Sequence, residues 1–332
     1  MGMNQACYLP DPIDKIFGTI ENYIVRFNAT TGAKEAHGKI AAPLYGPCTC
    51  CAGNGVVYVG LIHDYSWCSD YDPGVANKFI WTVDPDTLVA TDAFALNAFF
   101  EDYWSTASDG YAHEGVGHMK VYGDYLYFEG ARGGGSTPGR VKLTDPTDNT
   151  LDDFGDPWGD SGFRPESVEV ANFDGNDNMF HIDMGGQAFD SRIITPGPLD
   201  PTVSPWDLSI TDYEVTPDFP AALVFNPTDT SVYIVCGNGN LHKRDAITGG
   251  AIDVFNLEIV YADVKPFRIT LSPLDGKLYI PCQHKNAVIV WNPSTDTGVA
   301  VEGFNSPIDI VFTDAKAFAV QSGVTPLKEI EL

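Results

Sequence analysis

Short apolar runs separated by turn residues recur along the whole chain, and residues 266–298 show the unit most clearly. Here the runs RITL, KLYIPC and AVIVWN are separated by clusters of Pro, Asp, Gly, His and Asn. Gly and Asn accept positive φ, and Pro fixes φ near about −65°, so such clusters reverse the chain. The pattern therefore predicts antiparallel strands joined by tight turns.

The middle strand of the unit is an aromatic residue flanked by apolar or small ones, and it returns seven times. The aromatic positions are Phe17, Tyr58, Tyr127, Phe180, Tyr233, Tyr279 and Phe318. Their separations are 41, 69, 53, 53, 46 and 39 residues, and all but one suit a four-stranded propeller blade.

Each unit also has an apolar first strand, and most have a third strand that ends in Asn or Asp and a turn. The predicted first strands are residues 4–9, 47–52, 117–122, 166–171, 221–226, 267–272 and 307–312. The third strands lie within 23–32, 79–87, 140–147, 191–198, 240–249 and 287–298, and weaker fourth strands lie near 39–43, 89–96, 251–259 and 298–303. We therefore expect one all-β domain over residues 1–332, a seven-bladed β-propeller of four-stranded antiparallel blades. The last blade, at 327–332, ends after its third strand and is incomplete.

The stretch KLYIPCQHKNAVIVWNPSTDTG resembles the repeats of the YVTN/NHL-type propeller superfamily. The resemblance implies architecture alone, because propellers of this kind carry many unrelated functions.

Long connections interrupt the regular units, and function is often found in such insertions. They are residues 60–78, 97–116, 129–140, 154–165 and 196–220. In an up-and-down blade these connections emerge on the same face, above blades 2–4. The aromatic residues predicted there to bind a partner are Tyr65, Trp67, Tyr71, Tyr103, Trp104, Tyr111, Trp158 and Trp206. Aromatic loops favour recognition of proteins or sugars, although the same side chains could instead pack the loops onto the scaffold.

The net charge of the chain limits the classes of molecule that it can bind. The chain carries 45 acidic and 19 basic residues, a net charge of −26, which repels phosphate backbones and anionic membranes. We expect no nucleic-acid binding. The N-terminus predicts no secretory signal, and no apolar run is long enough to span a membrane. The sequence thus predicts a chain without membrane insertion, intracellular or part of an assembled particle.

The seven cysteines cannot all pair within one chain. Cys236 and Cys282 each follow the repeat aromatic by three residues, which predicts buried core thiols. The remaining cluster is Cys48, Cys50, Cys51 and Cys68, for which intrachain and interchain disulfides stay open. Its C-x-C-C spacing fits no zinc or haem pattern.

Motif searching supplies no convincing catalytic or cofactor site. The sequence H-E-x-x-x-H at 113–118 misses the H-E-x-x-H spacing of a helical zinc site. The stretch NFDGNDN at 172–178 has alternating oxygen side chains but coincides with a predicted hairpin turn, which needs the same residues. Gly133–Ser136 lacks the lysine and helix of a phosphate cradle. The histidines are scattered over different blades, and in a propeller such residues can converge on the central channel.

These observations favour a non-enzymatic recognition or scaffold component of a larger assembly, such as a virion or tail structural protein, with other protein subunits as partners. No cofactor is predicted. One alternative is a metal-dependent, lactonase-like hydrolase with its site in the central channel. Another is a glycan-binding propeller that uses the aromatic loops.

Overall fold

The structure is a computed structural model of the chain. It describes residues 6–10, 13–20, 23–40, 45–63, 80–92, 113–132, 135–144, 168–172, 177–183, 192–198, 214–215 and 220–331. These residues form 26 β-strands and two short 3₁₀ helices, Leu257–Ile259 and Gln283–Lys285. Within these ranges no helix has the length and apolar character needed to cross a bilayer.

The strands lie in antiparallel sheets whose members mostly follow one another in sequence. The first sheet contains β1 (Ala6–Leu9), β2 (Lys15–Ile20), β3 (Tyr23–Asn28) and β4 (Lys34–Lys39). The second contains β5 (Tyr45–Gly53), β6 (Val56–His63), β7 (Ile80–Val83), β8 (Ala90–Asp92), β9 (His113–Tyr122), β10 (Tyr125–Arg132) and β11 (Gly135–Lys142). The third contains β12 (Val168–Asn172), β13 (Asp177–Asp183), β14 (Arg192–Pro198) and β15 (Glu214–Val215).

The C-terminal part repeats the four-stranded pattern twice before a shorter sheet. The fourth sheet contains β16 (Pro220–Asn226), β17 (Ser231–Cys236), β18 (Asn240–Asp245) and β19 (Ala251–Asn256). The fifth contains β20 (Thr270–Leu271), β21 (Leu278–Cys282), β22 (Ala287–Asn292) and β23 (Thr297–Glu302). The sixth contains β24 (Pro307–Phe312), β25 (Ala317–Gln321) and β26 (Leu327–Ile330).

The all-β propeller of antiparallel blades is confirmed, but the described strands form six blades and the prediction of seven is wrong. The cause lies in two strands that are longer than the sequence pattern indicates. β6 runs on to His63 and β9 begins at His113, so that Ile62 pairs with Gly115. This pairing joins the predicted second and third units into one seven-stranded sheet.

Two further segment predictions are wrong. The fourth strand expected at 39–43 lies earlier, at β4. The prediction was displaced because the polar sequence KEAHGK has no apolar pattern, whereas Ile40, just after the strand, is apolar and buried. The expected loop 129–140 belongs largely to the β10–β11 hairpin, paired from Tyr125–Lys142 to Arg132–Gly135. The glycine-rich sequence of β11 has no strand pattern, but its backbone pairs with β10 along the whole strand.

The Asn or Asp that ends a third strand has a repeated structural role. Its side-chain oxygen accepts hydrogen bonds of 2.7–3.1 Å from backbone N–H groups two or three residues further on. The residues that do this are Asn28, Asp84, Asp245 and Asn292. Such Asx turns replace the ladder bonds that end with the strand, which explains the predicted turn signal.

The core lies between neighbouring sheets. Six of the seven repeat aromatics have described side chains, and all six are buried: Phe17, Tyr58, Tyr127, Tyr233, Tyr279 and Phe318. Trp291 of β22 is fully buried in a cluster that spans the fourth and fifth sheets. A single sheet could not bury both of its faces, so each depends on its neighbours.

The first and last sheets close the ring by packing face to face. β24 contacts β1, and one apolar cluster includes side chains from both sheets. A backbone N–H of β1, that of Ala6, donates to the Asp309 carboxylate on β24. The approach is close at Gly32 (φ +67°), where a Cβ atom would lie 2.9 Å from Cε1 of Phe318. Among the described strands, neither of these two sheets borrows a strand from the other.

Candidate functional site in the propeller centre

From β1 to β20, the first strand of each repeat contacts the first strand of the next repeat. β1 contacts β5, β5 contacts β9, β9 contacts β12, β12 contacts β16, and β16 contacts β20. β24 completes the circuit through its contacts with β21 and β1. In a propeller these strands surround the central channel. Polar side chains on them are therefore brought together from distant parts of the sequence.

Ionisable side chains from these strands act on one another, and we call this set the channel cluster. Its members are Cys7 on β1, Cys50 and Cys51 on β5, His118 and Lys120 on β9, Glu169 on β12, Arg268 just before β20, and Asp309 on β24. Arg268 links two sides of the cluster, because its charge acts on both His118 and Asp309.

Asp309 is the buried acid of the cluster, with 7% of its surface exposed. Burial raises the pKa of its carboxyl to about 6, because an ionised carboxylate is poorly solvated there. The positive charge of Arg268 acts in the opposite direction and lowers the pKa. The N–H groups of Ile310, at 2.9 Å, and of Ala6 lower it further by donating to the carboxylate.

His118 and Lys120 are two residues apart on β9 and lie on the same side of the strand. Burial lowers the pKa of the His118 imidazole to about 3, with smaller contributions from Arg268 and Lys120. Burial also lowers the pKa of Lys120 to about 8. The Lys120 ammonium pairs with the Glu169 carboxylate of β12. His118 is thus neutral at physiological pH, while Lys120 keeps a charge that Glu169 balances.

The cysteines of the cluster are thiols. Cys7 and Cys50 share a hydrogen bond, which together with burial raises the pKa of Cys7 well above its usual value. Burial and the neighbouring Cys50 raise the pKa of Cys51. The Cys50 Sγ also donates to the carbonyl oxygen of Phe17 at 3.7 Å. Protonated, enclosed thiols are poor nucleophiles.

The cluster combines groups that hold and exchange protons. A carboxyl with a pKa near neutrality beside an arginine, and a lysine with a lowered pKa, are arrangements found where acid–base chemistry occurs. Arg268 and Lys120 together can also bind an anionic group. The described residues contain no group of three or more His, Cys, Asp or Glu side chains that could hold a metal ion. Satisfied polar networks of this kind also serve to fix the mutual position of strands.

A second concave feature lies at the seam between the first and last sheets. It is a cleft of about 200 Å³. The residues that line it are Asp14, Ala29, Thr30, Thr313, Asp314, Ala315 and Lys316. Tyr8 donates from its hydroxyl to Asp14 at 2.9 Å beside this cleft.

The eight aromatic residues predicted to form a binding face lie outside the described residues. They are Tyr65, Trp67, Tyr71, Tyr103, Trp104, Tyr111, Trp158 and Trp206. Most of the loops that carry them, including 154–165, also lie outside the described ranges.

The other sequence motifs have the following outcomes. The H-E-x-x-x-H segment is part of strand β9, which agrees with the prediction that it is not a helical zinc site. Residues 172 and 177 pair at the end of the β12–β13 hairpin, as predicted for NFDGNDN. Cys236 and Cys282 are fully buried thiols, which confirms their prediction as core residues. The pairing of Cys48 and Cys68 involves side chains outside the described set.

Sequence reasoning missed the channel cluster because each unit supplies only one or two of its members. The available signal was one ionisable or cysteine side chain inside an otherwise apolar first strand, as in FRITLS and PIDIVF. That signal differs in residue type from unit to unit, so no repeated position stands out.

Comparison with known proteins supports the fold. No family model matches the chain, and no curated protein matches it. Its structure is similar to a chain in the crystal structure of a mitotic checkpoint complex, with a TM-score of 0.61 and 9% identity over 96% of this chain and 87% of that chain. It is also similar to the computationally designed Ika8 protein, with a TM-score of 0.54 and 10% identity over 96% of this chain and 80% of that chain. These similarities support the propeller fold alone, and the YVTN/NHL type is not confirmed.

Proposed function

We propose that this chain is a non-enzymatic propeller that serves as a recognition or scaffold component of a larger assembly, such as a virion or tail particle. A propeller fold with a structural neighbour from a multiprotein complex supports a role in protein interaction. The aromatic loops over the predicted blades 2–4 are part of the proposal as its principal binding face. One domain over residues 1–332 carries both the scaffold and these loops.

The observation that carries the proposal is the distribution of exposed apolar side chains. Among the described residues, the large hydrophobic side chains that are exposed number eight, and five of them fall between positions 247 and 267: Ile247, Ile252, Val254, Ile259 and Phe267. Exposed apolar residues that are grouped, rather than scattered singly, are a feature of interaction surfaces, and these five lie on β19 or on the segments that precede and follow it in sequence. The concentration is notable on a chain whose net charge of −26 otherwise favours solvation.

Sedimentation velocity of the purified chain tests the proposal. We expect a stable multimer at about 0.5 M salt, where repulsion between copies is screened over a few Å. Replacing Trp67, Trp104, Trp158 and Trp206 together with alanine should abolish the multimer while the urea midpoint stays unchanged. A monomer at every salt concentration, with and without reductant, would argue against assembly through this face.

The channel cluster favours a second candidate, an enzyme with its site in the central channel. Asp309, Lys120 and His118 converge there with Arg268, and such a set can bind and protonate a small anionic substrate. Thermal shift measurements with a panel of small carboxylates and phosphate esters, and a stoichiometric analysis for bound metal, test this candidate. Stabilisation that is lost in Arg268→Met would support it, and its absence across the panel would count against it.

A further inference from the structure

The outer strand of the fourth sheet, β19, carries exposed apolar side chains at a sheet edge. β19 pairs only with β18 among the described strands, and five of its six residues are exposed. An exposed sheet edge is a template for another strand, and proteins commonly protect such edges with lysine, proline or a cover. β4, the outer strand of the first sheet, carries exposed Lys34 and Lys39. The sequence of β19, AIDVFN, has neither lysine nor proline.

Two apolar side chains of β19 are exposed. Ile252 and Val254 are 52% and 47% exposed, and Ile252 lies in a β-bulge, with no residue opposite it on β18. Ile247, which is 59% exposed, lies in the turn that leads into the strand. The corresponding strand of the fifth sheet, β23, has one such residue, Val299. The apolar pair is therefore particular to β19 and not a property of the repeat.

The backbone of β19 is also available at its outer side. The Val254 N–H donates to the neighbouring Asp253 carboxylate at 2.8 Å, and Asp253 is exposed. A ladder amide would donate to the adjacent strand instead, so this N–H faces the outer side of the sheet.

We propose that β19 is a docking site for an extended, basic segment of a partner protein, which adds to the fourth sheet as a further strand. Main-chain hydrogen bonds to the outer side of β19, including one at the Val254 N–H, give affinity, and Ile252 and Val254 contact apolar side chains of the segment. Charge identifies the partner, because Asp253 lies at the centre of the edge and the chain has a net charge of −26. A second copy would bring the same charge and another Asp253 to the contact, which opposes pairing. The proposal rests on the proposed role in protein interaction and names one surface for it.

A display library of random twelve-residue peptides, selected on the whole chain, tests the proposal. Selected peptides should alternate apolar with Lys or Arg residues, and their affinity should fall with rising salt. Val254→Pro removes the outward N–H without removing a bond to β18, and Ile252→Lys removes half of the apolar pair. Each substitution should weaken binding at least tenfold. Val299→Lys, on the outer strand of the next sheet, is the matched control and should leave the affinity within twofold.

Hydrogen exchange provides a second readout. Bound peptide should slow exchange of the amides in residues 251–256. Failure to select any binder, equal affinity for all variants, or selection of acidic or helical peptides would overturn the proposal. A dimer of this chain that Val254→Pro abolishes would also overturn it, since the occupant would then be a second copy. Assembly that depends on the aromatic loops but not on β19 would leave the proposed function standing while refuting this site.

Discussion

Replacement of Asp309 with asparagine should make the chain more stable at neutral and alkaline pH, and the gain should grow as pH rises towards about 6 and then level off. The carboxyl has a pKa of 3.8 in an unfolded chain and about 6 in the folded one. Between these values the folded state holds more protons than the unfolded state, so stability falls as pH rises through this window and is constant above it. The ionised form is therefore disfavoured by about 3 kcal/mol, since each pKa unit corresponds to about 1.4 kcal/mol. Roughly 2 kcal/mol of this loss in folding stability develops between pH 4.5 and pH 8.

The asparagine side chain would keep an oxygen that can accept from Ile310 N–H, so the substitution removes the charge and leaves that local hydrogen bond. The free energy of unfolding of both proteins should be measured in urea, which does not screen charge, at several pH values between 4.5 and 8. The difference, variant minus wild type, should increase by about 2 kcal/mol across the range. The pKa of His118 is lowered in the folded chain, so its contribution to stability rises with pH instead of falling. His118 is present in both proteins, and its contribution cancels in the difference.

Asp253→Asn is the matched control. Asp253 also accepts from the N–H of the next residue, at 2.8 Å against 2.9 Å for Asp309, but it is exposed on β19. Its substitution should change the free energy of unfolding by no more than about 0.5 kcal/mol at each pH measured, the range of ordinary surface substitutions. If Asp309→Asn instead tracked the wild type at every pH, the burial of a charged group at the seam would be refuted.

Two further outcomes follow from the packing. Gly32→Ala should lower the free energy of unfolding by more than Gly55→Ala, because both glycines have positive φ but only a Cβ at Gly32 meets Phe318. The urea midpoints of the two variants measure this difference, and equal midpoints would contradict close packing between the first and last sheets. Cys236 and Cys282 should resist iodoacetamide at pH 8 in the folded chain and react fully in urea, because both are fully buried and burial raises the pKa of Cys282 to about 12. Mass spectrometry measures the labelling, and rapid labelling of the folded chain would contradict burial of these thiols.

The sequence predicted those elements whose cause is local. The alternation of apolar residues and the Asx turns specified strands such as β21 and β22 and the turn after Asn292. The number of blades was not predictable in this way. It depends on Ile62 meeting Gly115, a single pairing between strand ends far apart in sequence. No pattern within either strand reports that contact.

The channel cluster shows the same limit for function. Arg268 and His118 are separated by almost half of the chain, and only closure of the ring brings their charges together. A polar residue in an apolar strand indicates a buried polar contact, but its partner is set by tertiary structure. The aromatic binding face stays a prediction, because its residues lie outside the described part of the chain.

Closure by face packing has a consequence for synthesis on the ribosome. The first sheet buries Val25 and Phe27 against Val311 and Phe318, which are translated roughly 280 residues later. At about 5–20 residues per second, a nascent chain therefore holds one bare apolar face for on the order of 15 to 60 s. During that interval the N-terminal blade is a target for chaperones, and a truncated product would keep the face exposed permanently. Burial of this face of the first sheet therefore requires that the last sheet, β24–β26, has been translated.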